Sequence, residues 1–267
     1  MRAGLAVVTA LLALPGCTAE PEHGARPTVV SLNPCTDAVL VQVADAGQLL
    51  ALSHYSHDPR ASSIPQDQAR RFRVTGGTVE EVLALRPDVV VAGTFMPPAT
   101  AAALRRLGVR VELFGIAATV AESEAQVRRL AAIAGHADRG DGLVRQIDAA
   151  MARSRFAGPK VPAVLWQQGG IVAGDGSLIA RLLAHTGFAN HAAARGLGQA
   201  ALLPLERVLA DPPAVVLTTG DERALRHPAL ARVPGLRHAR LDPSLLYCGG
   251  PTIIRAVDRL AQVRRAA

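Results

Sequence analysis

The sequence predicts an α/β protein with two Rossmann-like lobes, each built on a parallel β-sheet and joined to the other by a single long helix. Three observations predict this fold class. Short β-rich runs alternate with helical stretches, as in parallel sheets. The alternation stops for one long helical interval near the middle of the chain. A helix, a proline and a valine-rich strand occur in the same order in both halves.

The first residues have the features of an export signal. Arg2 gives a positive start, residues 5–14 form an apolar run, and Leu-Pro-Gly-Cys follows at residues 14–17. A helix needs about 20 apolar residues to span a bilayer, so this run is too short to anchor the chain by itself. We therefore predict a signal peptide over residues 1–16, a lipid on Cys17, and a flexible tether over residues 17–27.

Strand-like runs define the two lobes. In the first half they cover residues 28–32, 49–53, 89–92 and 109–113, and in the second half residues 163–166, 214–218 and 238–241. Residues 120–155 have a helical pattern with glycine breaks at Gly135 and at residues 140–142. The predicted domains are an N-terminal lobe over residues 28–118, a helical region containing the backbone helix over residues 119–158, and a C-terminal lobe over residues 159–267.

A repeated motif supports the two lobes. Residues 79–91 and 205–217 share a short helix, a proline stop and a buried strand, with Glu80 and Glu206 near the two helix starts. The proline ends each helix because it disfavours helical geometry in the residue before it. One copy falls in each predicted lobe.

Ligands of open parallel sheets bind at the carboxyl ends of the strands, so the turns that follow strands are the candidate site. These turns cover residues 33–36, 54–58, 93–97, 167–170, 220–223 and 242–249. Large ligands need apolar and aromatic walls. The wall candidates are Tyr55, Phe95, Trp166 and Tyr247, and for Trp166, which ends an apolar strand, packing in the core is the alternative.

Imidazole and thiolate groups near these turns raise the possibility of a direct metal site. His54, His57, Cys35 and Cys248 are the residues concerned, but their spacing matches no zinc motif, so solvated loop histidines are the favoured interpretation. Cys35 and Cys248 can pair, stay free or contact ligand.

The charge pattern argues against a nucleic-acid partner. The formal net charge of +7 comes almost entirely from arginine, since Lys160 is the only lysine. The arginines occur as scattered pairs, which is typical of solvated helix faces.

Segments 29–37, 51–59, 80–91 and 182–190, in this order and spacing, resemble the periplasmic binding proteins of cobalamin and iron-siderophore ABC importers. The resemblance covers nearly the whole mature chain. It implies the class III fold, in which a single helix bridges the lobes, and a monomer in the periplasm. It also implies that Glu80 and Glu206 dock onto arginines of a permease dimer, which works with an ATPase. The alternative for such glutamates is helix capping, which Thr78 and Glu81 fit better than Glu80 does.

The resemblance implies a ligand of the corrinoid type, with a ferric siderophore, met by Arg73, Arg223 and Tyr247, as the alternative. A zinc or manganese binder and a ligand carrier without a transport role are weaker alternatives. We expect no resident cofactor, and a ligand that contains cobalt or iron. Gly76 and Gly77 stand where haem-binding relatives have a tyrosine, which disfavours haem. The resemblance places Cys35 and Cys248 on loops of opposite lobes that face the cleft. The predicted ligand-binding residues are Cys35, His54, Tyr55, Phe95, Trp166, Tyr247 and Cys248.

An enzyme is the rival class of protein. Residues 174–177 would then form a nucleophile loop, with His185 or His191 as the base. The chain has neither a Gly-x-Ser-x-Gly elbow nor a phosphate-binding loop, and Ser177 fits a helix N-cap. The sequence therefore predicts a binding protein with no catalytic residues.

Overall fold

A computed structural model describes residues 26–220 and 222–267. The first half of this chain forms a five-stranded sheet, which is parallel throughout and has the order β3-β2-β1-β4-β5. Its strands are β1 (Val29–Ser31), β2 (Leu49–Ser53), β3 (Val74–Thr75), β4 (Val89–Gly93) and β5 (Arg110–Phe114). The valine-rich runs of β1 and β4 are fully buried, because helices cover both faces of a parallel sheet.

Four helices connect these strands: α1 (Pro34–Val43), α2 (Gln66–Ala69), α3 (Val79–Leu85) and α4 (Pro98–Arg106). Asn33 begins α1, because its side-chain oxygen accepts hydrogen bonds from the backbone amides of Cys35 and Thr36. Thr78 begins α3 in the same way, with its hydroxyl accepting from the amide of Glu81. We call this sheet and its helices the N-terminal lobe.

The predicted helical interval contains two helices, α5 (Val120–Ile133) and α6 (Ala137–Ser154). They are separated at Gly135, which has a φ of 75° that favours glycine, so this predicted break is confirmed. The predicted break at residues 140–142 is wrong, because α6 continues through it. Gly140 is buried against Ala131 of α5, and its lack of a side chain lets the two helices approach closely.

The second half forms a six-stranded sheet with the order β11-β10-β6-β7-β9, in which β8 also pairs with β6. Its strands are β6 (Val161–Gln167), β7 (Ile171–Val172), β8 (Phe188–Asn190), β9 (Ala201–Leu202), β10 (Val215–Thr219) and β11 (Arg237–Arg240). The predicted α/β fold class is confirmed, and the second sheet departs from a parallel arrangement at β7, which runs antiparallel to both β6 and β9. With α7 (Leu178–His185), α8 (Leu205–Ala210) and α9 (Pro251–Arg265), this sheet makes up the C-terminal lobe.

One continuous apolar core runs through both lobes. It contains Val29 and Val91 of the first sheet, Ile147 of α6, Leu165 of the second sheet and Val257 of α9. The lobes therefore share buried surface along α6 and α9 in addition to their chain connection. No helix in the two described segments is both long and apolar enough to cross a bilayer.

The repeated motif forms equivalent elements in the two lobes. In each lobe a short helix leads into a buried strand, α3 into β4 and α8 into β10. The short strands β3, β7, β8 and β9 were not predicted, because two or three residues carry too little periodicity to be recognised.

Candidate ligand-binding site

A cavity of about 470 Å³ lies between the two lobes, where the carboxyl ends of their strands meet. On the N-terminal side it opens at the ends of β1, β4 and β5, and β1 and β4 flank the point where the strand order reverses. Its main lining residues are Asn33, Cys35, Phe95, Phe114, Ile116, Gln126, Gln167, Asp175, Ser177, Leu178, Ile179, Leu182, Gln199, Leu245, Leu246, Tyr247 and Cys248.

The N-terminal wall is built on the loops after β1, β4 and β5. The side chain of Asn33, while capping α1, also packs against Gly93 at the end of β4, where any Cβ would overlap it. Phe95 and Ile116 stand at the rim and are 79% and 77% exposed. Large apolar side chains so exposed at the mouth of a cavity are available to contact a ligand.

The C-terminal wall is built on the start of α7. Ser177 caps this helix by accepting from the amide of Ala180 at 3.3 Å, and its hydroxyl donates to the carbonyl of Gly174 at 3.2 Å. Leu178, Ile179 and Leu182 then present an apolar surface to the cavity. Residues 174–177 are therefore a helix start that shapes the wall.

The polar groups of the cavity are mostly uncharged. Four side chains carry carboxamides: Asn33, Gln126, Gln167 and Gln199. Asp175 is the one carboxylate among the described lining residues, and none of those residues is Lys, Arg or His. Such a lining matches a ligand with an apolar body and neutral polar groups, because none of the described lining residues offers a cationic side chain to an anionic ligand.

Cys35 and Cys248 form a disulfide with a Cα–Cα distance of 5.1 Å. Pairing, one of the three alternatives left by the sequence, is therefore observed and excludes free thiols, whereas contact with ligand stays a prediction. Both cysteines also line the cavity, so the disulfide forms part of its wall. Paired cysteines offer no thiolates to a metal, and the described residues contain no cluster of three metal-ligating side chains.

Tyr247 contributes a phenol side chain to the lining of the cavity and is 44% exposed. Burial raises the pKa of its hydroxyl group, and the nearby carboxylates of Asp58 and Asp242 raise it further. The side chain is therefore a neutral hydrogen-bonding group at neutral pH. Its place at the rim agrees with its predicted role as a wall of the cleft, which stays a prediction.

The prediction that Trp166 forms a wall of the cleft is wrong. The indole is only 1% exposed, packs in the core of the C-terminal lobe, and donates from Nε1 to the carbonyl of Leu203 at 2.9 Å. Trp166 lies on β6, whose alternate residues face opposite sides of the sheet. Packing of Trp166 in the core, which was the alternative predicted from the sequence, is the arrangement observed.

His54 and Tyr55 lie outside the cavity, in the turn after β2. The sheet order places β2 on the other side of β1 from β4 and β5, so this turn is displaced from the cavity. The two rings contact each other with centroids 4.0 Å apart, and Tyr55 is 51% exposed. Their part in binding stays a prediction. His57 contacts the backbone carbonyls of Ala69 and Phe72 instead of facing the cleft.

Glu80 and Glu206 occupy matching positions, in the first turns of α3 and α8. Helix α3 connects β3 to β4, and α8 connects β9 to β10. The two strands of each pair point the same way, so each helix begins at the edge of the sheet where the strands end. Both side chains are exposed, and within the described segments neither has a hydrogen-bond or ion-pair partner. Glu81, by contrast, accepts from Thr75 Oγ1 at 2.6 Å and from the amide of Gly77 at 3.1 Å, which lowers its pKa.

Several lining residues were missed by sequence reasoning. They are Phe114, Ile116, Gln126, Leu178, Ile179, Leu182 and Gln199. Most lie on helices or on long loops, where no turn motif marks a site. The end of β5 was the one available signal, because it is a strand end like those of β1 and β4.

The residues proposed for catalysis in the enzyme alternative have other contacts. His185 Nε2 lies 2.7 Å from the carbonyl of Met151, and His191 Nε2 lies 3.0 Å from that of Asp211. Neither histidine lines the cavity with Ser177. The contact of His185 therefore joins α7 to α6, and the contact of His191 lies within the C-terminal lobe.

Residues 29–241 match a family model described as periplasmic binding protein. The chain therefore belongs to the periplasmic binding protein family, whose members capture a ligand outside the cytoplasm. It is a periplasmic binding protein of the class that serves importers. No curated protein sequence matches the chain.

Solved structures share the fold. The apo form of the periplasmic heme-binding protein RhuT from Roseiflexus sp. RS-1 has 21% identity and a TM-score of 0.70, covering 91% of this chain and 98% of that one. The periplasmic heme-binding protein HutB of Vibrio cholerae has 19% identity and a TM-score of 0.72, and the match covers 89% of this chain and 98% of that one. The periplasmic vitamin B12 binding protein BtuF of Vibrio cholerae has 17% identity and a TM-score of 0.66, and the match covers 90% of this chain and 97% of that one. At these identities the likeness concerns the fold.

Proposed function

We propose that this protein captures a corrinoid of the cobalamin type in the cavity between its lobes and delivers it to an ABC permease and its ATPase. The observation that carries the proposal is the lining of the cavity, with apolar walls, four carboxamides and no cationic side chain among the described residues. Corrinoids carry neutral carboxamides around a flat macrocycle. Amide groups of the protein can both donate to them and accept from them.

The size of the cavity fits partial burial of such a ligand. Its volume of about 470 Å³ accommodates one edge of a corrin, while Phe95 and Ile116 remain exposed to contact the rest. The exposed ring of Tyr55, in the turn after β2, would then meet the part of the ligand that projects beyond the cavity.

Haem is a second candidate, because Tyr247 places a phenol at the rim where it would act as an axial iron ligand. Two of the reported structures are described as heme-binding proteins, which supports the candidate at the level of scaffold. Against it, the carboxylates of haem would meet Asp175 and no cation among the described lining residues. The same argument disfavours anionic ferric siderophores, since Arg73 lies at a separate hollow near α1 and β2.

Delivery rests on Glu80 and Glu206, which we propose as the docking residues for permease arginines. The proposal is supported by their exposed carboxylates, which have no partner among the described residues and lie at the two sheet edges that border the cleft. Exposed charges of this kind set the orientation and rate of association more than its affinity. A carrier that hands its ligand to another protein would need the cavity but not this pair.

Anchoring falls in a part of the chain that the structure does not cover. The predicted signal peptide over residues 1–16 lies outside the described residues, as do Cys17 and nearly all of the tether. We propose a lipid on Cys17 that holds the protein at a membrane, as a monomer in the periplasm. Mass spectrometry of the membrane-extracted chain, compared with a Cys17→Ser variant, tests this by the presence or absence of the lipid mass.

A ligand screen tests the proposal. The mature protein is titrated by calorimetry with cyanocobalamin, dicyanocobinamide, hemin, a neutral ferric hydroxamate and an anionic ferric catecholate. We expect the two corrinoids to bind most tightly. Tighter binding of hemin, with the visible spectrum of a tyrosine-ligated iron, would favour the second candidate, and preference for a ferric siderophore would overturn both.

A further inference from the structure

The disulfide joins the two lobes across the cleft. Cys35 lies at the start of α1 in the N-terminal lobe, and Cys248 lies just before α9 in the C-terminal lobe, 213 residues further along the chain. The carbonyl oxygen of Tyr247 lies 3.2 Å from Cys35 Sγ, so the residue next to Cys248 lies at the same junction. A covalent bond between two lobes at the wall of a ligand cavity restricts how far the lobes can separate there.

Non-covalent contacts join the same part of the C-terminal lobe to the N-terminal lobe and to α5. The hydroxyl of Ser63 donates to the carbonyl of Ser244 at 2.8 Å, and the amide of Gly250 donates to Ser123 Oγ at 2.6 Å. Arg255 on α9 also donates to the carbonyl of Ser63. All of these contacts fall on residues 244–255. We call this segment the clasp.

The clasp packs closely against α1. Gly250, which begins α9, has a φ of 58°, and a Cβ there would lie 2.8 Å from Val39 of α1. Cys248 itself is only 7% exposed. The sequence Cys-Gly-Gly-Pro at residues 248–251 therefore fits a close approach of the C-terminal lobe to α1.

The opposite rim of the cavity has no such connections. Phe95 and Ile116 of the N-terminal lobe share the cavity with Asp175 and Gln199 of the C-terminal lobe. Across the described segments, no hydrogen bond or ion pair joins residues 93–118 to residues 167–203. Among the described residues, the two sides of the cleft are therefore joined by a disulfide and hydrogen bonds at the clasp and by neither at the rim of Phe95 and Ile116.

We propose that the Cys35–Cys248 disulfide is a positioning element for ligand binding, which holds the clasp and Tyr247 in place so that the cavity is preformed and the ligand enters from the rim of Phe95 and Ile116. The affinity part of this inference rests on the proposed function. Preforming a site raises affinity, because less ordering remains to be done when the ligand binds.

The test compares three forms of the mature protein: oxidised, reduced by a dithiol, and the double variant Cys35→Ala with Cys248→Ala. In the reduction, the sulfur–sulfur bond breaks, two thiols form, and the dithiol becomes a cyclic disulfide. Hydrogen exchange of residues 244–255 without ligand reports on the clasp. Calorimetry with cyanocobalamin, dicyanocobinamide and hemin reports on the cavity.

We expect faster exchange in the clasp and about tenfold weaker binding in both the reduced protein and the double variant. Treating the double variant with the same dithiol serves as the control and should change neither quantity. Unchanged exchange, or faster exchange with unchanged affinity, would overturn the proposal. If the oxidised protein binds none of the probes, the proposed ligand class has failed, and hydrogen exchange alone then decides whether the disulfide positions the clasp.

Discussion

Asp37 is fully buried on α1, beside the turn that follows β2. Its Oδ2 accepts from the hydroxyl of Ser56 at 2.6 Å and from the amide of Ser53 at 3.0 Å. Burial raises the pKa of this carboxyl group to about 8, although hydrogen bonds from Ser31, Ser56 and Ser53 lower it. The folded protein therefore keeps a proton on Asp37 at neutral pH, whereas the unfolded chain releases it near pH 4.

The variant Asp37→Asn tests this protonation. Between about pH 4 and pH 8 the folded wild-type protein binds one more proton than the unfolded chain, so its free energy of unfolding falls as the pH rises through this range. The asparagine cannot release a proton, so we expect its unfolding free energy to fall less between pH 5 and pH 8 in urea titrations. The exposed Asp138→Asn variant is the control and should follow the wild type. Parallel curves for Asp37→Asn and wild type would contradict the account.

Tyr247 distinguishes the two ligand candidates at the level of one hydroxyl group. In Tyr247→Phe the aromatic wall remains and one possible hydrogen bond is lost, so we expect affinity for cyanocobalamin to fall by at most about tenfold. An axial phenolate would matter far more for haem, and its loss would remove the tyrosine-iron absorption band. Calorimetry and visible spectra of the same samples measure both effects. A complete loss of corrinoid binding would show that the hydroxyl has another role.

The positions of single residues relative to the cavity agree with prediction in some cases and not in others, and the cause is physical. Cys35, Phe95, Tyr247 and Cys248 line the cavity because each follows a strand end at the cleft. Trp166 does not, because its position within β6 points the indole into the core. Strand ends can be located from the sequence, but the direction of a side chain at a strand end depends on a register that one residue changes.

At the scale of elements, α5 and α6 pack through Gly140. A Cβ at this position would lie 2.5 Å from Cβ of Ala131, whereas at Gly142 the nearest atom is the guanidinium of Arg145, 3.8 Å away. The two glycines share one helix and differ only in the space around them. The sequence identified both as helix breakers, and their actual role depended on a helix contact that composition does not reveal.

The pair Gly140→Ala and Gly142→Ala tests this packing. Replacing glycine by alanine within a helix stabilises it by about 0.5–1 kcal/mol, which we expect for Gly142→Ala. For Gly140→Ala we expect a net loss, because overpacking costs about 1–3 kcal/mol and exceeds that gain. Urea unfolding of the three proteins measures the differences. Equal stabilisation by both substitutions would show that α5 and α6 do not pack closely at this point.

At the scale of the whole molecule, the two-lobed plan follows from the order of strands and helices, and the repeated motif located equivalent elements in both lobes. The mixed arrangement of the second sheet could not be predicted from the order of elements, because β7 and β9 are two-residue strands that pair through long-range contacts. The disulfide between lobes depended on the same long-range geometry. A sequence shows that Cys35 and Cys248 can pair but not that the fold places their Cα atoms 5.1 Å apart.

Docking is a property of the whole molecule, because it needs one glutamate on each lobe. In the double variant Glu80→Lys with Glu206→Lys we expect ligand affinity to stay unchanged and uptake by cells carrying the permease to be lost, since two favourable charge contacts become repulsive. Asp138→Lys, which changes another exposed acid in the first turn of a helix, is the control and should retain uptake. Full uptake by the double variant would instead favour a carrier that does not dock on a permease in this way.

The central claim is that a corrinoid binds between the lobes, and calorimetric titration of a filled cavity tests it most directly. Ala117 lines the cavity on the loop after β5, so Ala117→Trp places an indole in the ligand's space, whereas the exposed Ala152→Trp on α6 adds the same group elsewhere. With cyanocobalamin we expect wild type and Ala152→Trp to bind equally, and Ala117→Trp to bind at least about tenfold more weakly. Equal affinity in all three proteins, or no binding by the wild type, would contradict the claim.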